Sequence, residues 1–311
     1  MRQFIKNARV FSAVLPAANL LAEHLKELLF TPMSSSNIVA FGFEANDTTK
    51  ELVTQLQGGF SFTFRFDQKI IPGDIVKQRL QVFKENFFEN MGRRPTKTEV
   101  AELRDSVITL MASTAPIRTK LIHVFYSQTE QLLFIPVISK SMASRIMGQL
   151  IRACGSVKTT TIHVDGLTNG LASRLVAYLN REDDTESMAF DGEFEPSSYV
   201  VLGCGKNKVT YDLNDLGSGS VGIIERVDAG FNVNSLQLER GPVSFRIDSE
   251  FVFKAISLPE YSDDEAADDM AYQWRQQAQG EIILIADAVK ALCVMFDYKA
   301  PEESVEEATE E

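Results

Sequence analysis

The chain has 311 residues, 44% apolar and 24% charged, with a formal net charge of −12; this composition excludes a disordered protein and allows a sizeable core. No apolar run approaches the roughly 20 residues that span a bilayer, and Arg9, Asn19 and Glu23 interrupt the opening stretch without a small-residue cleavage site, so a cytoplasmic protein is expected. Cys154, Cys204 and Cys293, like His24, His123 and His163, are scattered at spacings that fit neither a metal site nor a disulfide framework, and read as structural side chains.

Phe4 to Leu15 has β character, and Ala17 to Phe30 reads as a helix with Leu20, Leu21, His24, Leu25, Leu28 and Leu29 on one side. Asn37 to Phe43 is a short apolar strand. Phe60, Phe62, Phe64 and Phe66 then alternate with Ser61, Thr63 and Arg65, which places four rings on one face of a strand. Such a row is core material before it is a base-stacking platform.

Pro72 and Gly73 open a helix running to about Asn90, with Ile75, Val76, Leu80, Phe83, Phe87 and Phe88 as its apolar positions. Gly92 ends it and Pro95 bars its continuation. Thr96, with Glu99 three residues on, forms a capping box for a second helix carrying Val100, Leu103, Val107, Leu110 and Met111. Residues 72–115 therefore read as a helical hairpin with a basic turn, long enough to project from a sheet.

Leu121 to Tyr126 and Leu132 to Ile138 read as a β-hairpin, Ser139 to Cys154 as a helix, Val157 to Val164 as a strand and Leu171 to Leu179 as a short helix. Residues 181–197 are acidic and mark a boundary or long loop. Tyr199 to Leu258 alternates β-like runs with turns, and Asp263 to Gln279 and Glu281 to Phe296 read as two closing helices. The order is mixed, so the expected class is α+β, with mixed or antiparallel sheets. The expected divisions are 1–71 together with 119–180 as a central sheet domain, 72–118 as a hairpin tip, 181–299 as a base domain and 300–311 as an acidic disordered tail.

Net charge alone argues against a nucleic-acid partner, but its distribution does not. Residues 61–160 carry fifteen Lys and Arg against eight Asp and Glu, while 161–311 have an acidic excess of nineteen. A basic middle inside an acidic chain fits a shielded DNA-binding surface, and equally a solvated helical region.

The segment Lys69-Ile70-Ile71-Pro72-Gly73-Asp74-Ile75-Val76-Lys77-Gln78-Arg79-Leu80, followed by Lys97-Thr98-Glu99 and Leu103-Arg104-Asp105-Ser106-Val107, resembles the K-I-L-P-x-x-V-I-K-Q-x-L and K-T-E-x-x-x-L-K-D-x-V stretches of the RdgC family. Phe4 to Val10, Phe30-Thr31-Pro32, Phe41-Gly42-Phe43 and Ser262 to Leu292 extend the likeness over nearly the whole chain, best in the first 165 residues and worst in 181–230. The resemblance implies a ring-shaped homodimer with a basic lining around duplex DNA. It also implies binding without sequence preference, association with the nucleoid and competition with a RecA-type recombinase. Two contacts would close the ring, one at the helical tips and one at the base. Where the family has a phenylalanine-bearing gate stretch, this chain has Thr114 to Leu121, so the gate falls to Pro116 and Ile117.

Duplex affinity without base reading needs only Lys and Arg that neutralise phosphates. The candidate contacts are Lys77, Arg79, Lys84, Arg93, Arg94, Lys97, Arg104, Arg118, Lys120, Lys140, Arg145 and Arg152. Lys77 with Lys84, Lys97 with Arg104, and Arg145 with Arg152 repeat a seven-residue spacing that puts each pair on one helix face. A solvated face is the alternative for any single one of them.

Enzyme readings are weaker. Gly217-Ser218-Gly219-Ser220-Val221-Gly222 matches a dinucleotide-binding string, but no helix is expected after it, so it reads as a turn. There is no phosphate loop of the ATPase type. Asp263, Asp264, Glu265, Asp268 and Asp269 suggest a metal nuclease, yet lack a lysine or histidine constellation and suit an acidic helix start. The expectation is a non-catalytic DNA-binding protein needing no cofactor, metal or membrane. A metal-dependent nuclease of DNA ends and a DNA-mimicking module that binds a repair protein are its rivals.

Overall fold

The computed structural model describes residues 3–35, 37–155, 157–162, 167–180, 188–260 and 269–298. In chain order the first elements are β1 (Ala8–Val14), α1 (Ala18–Leu25), β2 (Val39–Glu44), β3 (Val53–Leu56), β4 (Gly59–Lys69), α2 (Gly73–Met91) and α3 (Lys97–Ala112). Then come β5 (Ile117–Ser127), β6 (Leu132–Ile135), α4 (Lys140–Cys154), β7 (Lys158–Thr161) and α5 (Leu167–Leu179). The remainder is β8 (Glu195–Cys204), β9 (Asn207–Asp212), α6 (Ser220–Asp228), β10 (Asn232–Arg240), β11 (Val243–Asp248), β12 (Val252–Ser257) and α7 (Met270–Met295).

All twelve strands join one sheet in the order β2-β4-β5-β6-β1-β12-β11-β10-β8-β9, with β3 beside β4 and β7 beside β1. Each named pairing is antiparallel, which bears out the α+β class. β1 sits between the halves: Arg9 and Val10 pair with Ile135 and Phe134 of β6, while Ala8 and Arg9 face Phe253 and Val252 of β12.

Strand side chains alternate between faces, and here each face has its own core. On one, Leu21 and Leu25 of α1 and Ala143, Ile146, Met147 and Leu150 of α4 close over Phe60, Phe62, Phe64 and Val124. On the other, α5, α6 and α7 close over Val10, Phe125, Phe134, Leu236, Phe245 and Phe253. The phenylalanine row is core as expected: its first three rings are at most 1% exposed. Of the residues between them, Ser61 and Thr63 are buried as well. Ser61 Oγ donates to the Val124 carbonyl (2.9 Å), and Thr63 Oγ1 lies 3.0 Å from His123 Nδ1 beneath Trp274.

Three expectations are corrected. The two closing helices are one, α7, which runs unbroken through Gly280 because its buried face, from Trp274 to Met295, packs continuously on the sheet. A helix does follow the glycine-rich string, since a 3-10 turn at Leu216–Gly219 leads into α6. The dinucleotide reading now fails for another reason: β9 and β10 are separated by β8, antiparallel to both, so the adjacent parallel strands of a dinucleotide-binding unit are absent there. The first helix stops at Leu25 and continues only as a 3-10 turn, Lys26–Leu28. The acidic residues Asp263, Asp264, Glu265 and Asp268 lie outside the described residues. Asp269 caps α7, accepting from the Ala271 and Tyr272 amides at 2.9 and 3.2 Å.

The chain enters β1 through a carboxylate clamp. Glu281, 6% exposed on α7, accepts from the Phe4 amide (3.0 Å), the Ile5 amide (2.9 Å) and Gln277 Nε2 (2.8 Å). Replacing Glu281 by alanine leaves these donors buried without a partner. The expected loss is about 3 kcal/mol, read as a lower urea midpoint followed by the fluorescence of Trp274, the sole tryptophan.

Candidate nucleic-acid interface

The helical hairpin forms as its sequence requires. Gly92, at φ 64°, takes the left-handed turn that ends α2, and its amide donates to the Phe88 carbonyl at 2.8 Å. Thr96 and Glu99 complete the capping box of α3. Burial is confined to the root, at Val76 on α2 and at Val107 and Ala112 on α3. The rest of the hairpin therefore stands in solvent. Lys77, Arg79, Arg94, Lys97 and Arg104 are exposed, and Lys84 is half-buried. Lys84 and Arg94 border a groove of about 550 Å³ with Phe88 and Val100.

Arg93 is committed elsewhere. Its guanidinium makes two bonds to Glu99, at 2.7 and 2.9 Å, and lies 5.4 Å from the Phe87 ring centre. It fastens the turn and is a poorer phosphate ligand than its neighbours. Held by Arg93 and by the Thr96 amide, the Glu99 carboxyl falls to about 2.

Both helices of the hairpin grow from one end of the β4–β5 pair, where the register fixes the next candidates. Phe66 faces Lys120 and Gln68 faces Arg118, so both cations project on the face that α1 and α4 cover lower down. From α4, Arg145 reaches the same corner, its guanidinium 4.7 Å from the Phe41 ring centre and 5.4 Å from that of Phe66. Arg152, two turns along α4, is exposed. Lys140 opens α4 beside Arg9 and Glu250, in a small cavity at the β1–β12 junction. Pro116 accepts from the Ile70 amide (2.9 Å), and Ile117 opens β5. Ile70, Ile117 and Leu121 are 47%, 51% and 42% exposed, an apolar group at the hairpin root.

The sequence reading missed a second set. Past β1, no helix among the described residues covers the α1/α4 face, and a concavity of about 690 Å³ opens there, bordered by Lys6, Lys208, Arg246 and Lys254 and by the carboxylates of Asp248 and Glu250. Arg246 lies opposite Lys254 on β12 and Gln237 on β10, and its guanidinium caps the Tyr199 ring at 3.6 Å. Lys254 is paired with Asp248 (2.5 Å), and Arg9 with Glu250 (3.0 Å). Lys6, Lys208 and Arg246 have no ion pair among the described residues. No strand supplies more than one of them, so no helical spacing announces them. The available signal is the period of two: Arg246 between buried Phe245 and Ile247, and Lys254 after buried Phe253.

Burial pushes the Cys154 thiol up and Cys293 to about 11, and it lowers His123. Among the described residues no three His, Cys, Asp or Glu side chains gather as a metal site. No helix among them is long and apolar enough to cross a membrane.

The family model described as "Putative exonuclease, RdgC" matches residues 3–296. Relatives that match carry the name recombination-associated protein RdgC. That of Actinobacillus pleuropneumoniae serotype 3 is 22% identical over 60% of this chain and 66% of its own length. That of Colwellia psychrerythraea is 24% identical over 47% and 48%, and that of Proteus mirabilis 22% identical over 88% of each. The chain thus spans just under two thirds of the first relative, and about half of the second.

The turn between α2 and α3 carries a pH signature. The Glu99 carboxyl sits near 2, against an ordinary 4.5. Its contribution is complete above about pH 4.5 and is lost as pH falls through 2. Carboxyl titration by NMR is expected to place Glu99 near 2, and Arg93→Ala to return it toward 4.5. A wild-type value already near 4.5 would remove the pairing.

Proposed function

The chain belongs to the RdgC family, and on that premise we propose that it binds double-stranded DNA without sequence preference, as a ring-shaped homodimer, and so modulates recombination by a RecA-type recombinase. The relatives' name supplies the link to recombination. One observation carries the DNA reading. Arg118, Lys120, Arg145, Lys140, Lys208 and Arg246 come from both halves of the chain, and one face of a continuous sheet presents them, directly from its strands or from α4 lying on it. The opposite face is filled by the core under α5, α6 and α7.

Phosphate neutralisation by these cations asks for no base contact, and the exposed hairpin adds Lys77, Arg79, Lys84, Arg94, Lys97 and Arg104. Two such faces turned toward a common cavity would surround a duplex. The exposed Ile70, Ile117 and Leu121 at the hairpin root offer an apolar contact near the expected gate. The reading includes no catalysis, and the nucleoid is the site of action.

The test is binding to circular and linear duplexes of equal length in rising salt, with and without magnesium. A ring holds the circle at salt that frees the linear form. Equal release from both removes the ring, and magnesium-dependent loss of linear DNA favours the nuclease. Lys77→Glu with Lys84→Glu, and Lys208→Glu with Arg246→Glu, are each expected to weaken binding to every sequence alike, by about tenfold or more. The log–log salt slope should flatten by about 0.9 for each phosphate no longer neutralised. A pair whose reversal changes neither quantity does not touch DNA.

A further inference from the structure

α4 carries three cations, Lys140, Arg145 and Arg152, and no carboxylate. The strand positions beside it are also free of acid. Cross-strand partners share a face, so Val39, Gln68 and Arg118 form one row, Phe41, Phe66 and Lys120 the next, and Phe43, Phe64 and Ile122 a third. Glu44 and Asp67 point to the opposite face, where both pair with Arg65, at 3.1 and 2.9 Å. The end of α1, which touches α4, brings Glu23 and Glu27 against Lys26, and at the foot of α2 Asp74 stands three residues from Lys77. Arg118, Lys120, Arg145 and Arg152 remain, all exposed and without an ion pair among the described residues.

Arg145 differs from the other three in being held. Its guanidinium lies 4.7 Å from the Phe41 ring centre and 5.4 Å from that of Phe66. Phe41 in turn stacks on Phe64, with centres 6.1 Å apart and planes at 29°, and Phe64 and Phe66 are buried. Ile146 and Met147, the next residues of α4, are buried in the same core, which fixes the shoulder of the helix that carries Arg145. Lys120 is the cross-strand neighbour of Phe66. We propose that Arg145 is the anchor of the DNA contact, a phosphodiester seat completed by Lys120, and that Phe41 and Phe66 are its positioning residues. This rests on the DNA-binding reading and assigns the largest share of its affinity to one side chain.

The chemistry of the seat selects arginine. A planar guanidinium stacks through its face and keeps its edge N–H groups for two phosphate oxygens, whereas an ammonium is a point charge with no plane to stack. Stacking also removes rotamer freedom before DNA arrives. An exposed arginine such as Arg104 on α3 gives up that freedom only on binding, a loss equivalent to about tenfold in affinity. Position 145 therefore discriminates arginine from lysine, and position 104 does not.

The experiment titrates a labelled duplex of about 30 base pairs by anisotropy, between about 50 and 200 mM salt, with the full chain and with Arg145→Ala, Arg145→Lys and Arg104→Lys. Arg145→Ala is expected to weaken binding about tenfold or more and to flatten the log–log salt slope by about 0.9. Arg145→Lys keeps the charge and the slope, yet is expected to lose about three- to tenfold, while Arg104→Lys stays within about twofold. Phe41→Leu leaves every charge in place. It is expected to weaken binding about threefold in the otherwise unaltered chain and not at all in the R145A background. A merely structural loss would weaken both backgrounds alike. Arg145→Lys binding as the full chain does, Arg104→Lys costing as much as Arg145→Lys, or Phe41→Leu acting equally in both backgrounds overturns the anchor and leaves the DNA reading intact. If the full chain itself does not bind duplex, the DNA reading fails, and the anchor with it.

Discussion

β1 hydrogen-bonds to β6 on one side and to β12 and β7 on the other, so its register decides which side chains of both halves share a face. Ala8 and Val10 point into the core beneath α7; Arg9, Phe11 and Ala13 point the other way. A slip of one residue would exchange these sets. Val10 would then face α4 and Arg9 would enter the apolar core, a burial that an unpaired charge cannot survive. The Glu281 clamp on residues 4 and 5 pins the strand just before this pairing begins. The alignment of Lys208, Arg246, Lys254 and Arg9 with Lys120 and Arg118 on one face follows from that register and from the unbroken sheet.

The basic side chains then divide by what else they do. Arg93 and Arg145 satisfy local partners, a carboxylate in one case and two aromatic faces in the other. A guanidinium over a ring keeps its outer N–H groups for another acceptor, so Arg145 packs the corner and still offers donors outward. Arg246 over Tyr199 is built the same way. Arg93, with two donors spent on Glu99, gives the turn rigidity instead. The exposed lysines on α2 and α3 lack such supports, and ordering them against a phosphate costs side-chain entropy that the stacked arginines have already lost.

Local chemistry was legible where one short segment decides the outcome. Gly92, Pro95, Thr96 and Glu99 specify the hairpin turn almost residue by residue, and the alternation from Phe60 to Phe66 specifies the strand. The misread features depend on distant partners. Gly280 looks like a break until α7 is seen to bury Trp274, Ile285 and Leu292 along one face of the sheet. The glycines before α6 look like a bare turn until Ile223 finds its place in the core. The cations on β11 and β12 were invisible because their common face is a property of pairing between strands, and no single strand displays it. Helical pairs seven apart could be read within one element, which is why the expected list ended at Arg152.

An acidic protein with a basic face must also keep its own negative charge from cancelling that face. Asp287, on the outer surface of α7, lies on the far side of the sheet among the helices that cover it. A packed helix layer adds about 10 Å to the sheet, and the Debye length at physiological salt is about 8 Å. Fixed charge on the outer surface of α7 is therefore screened before it reaches the strands carrying Lys208 and Arg246. On the α1/α4 face itself those cations stand beside their own carboxylates, Asp212, Asp248 and Glu250. The net charge of −12 governs solubility and long-range repulsion between copies, and the local sign on each face is set by the side chains that the strand register turns toward it.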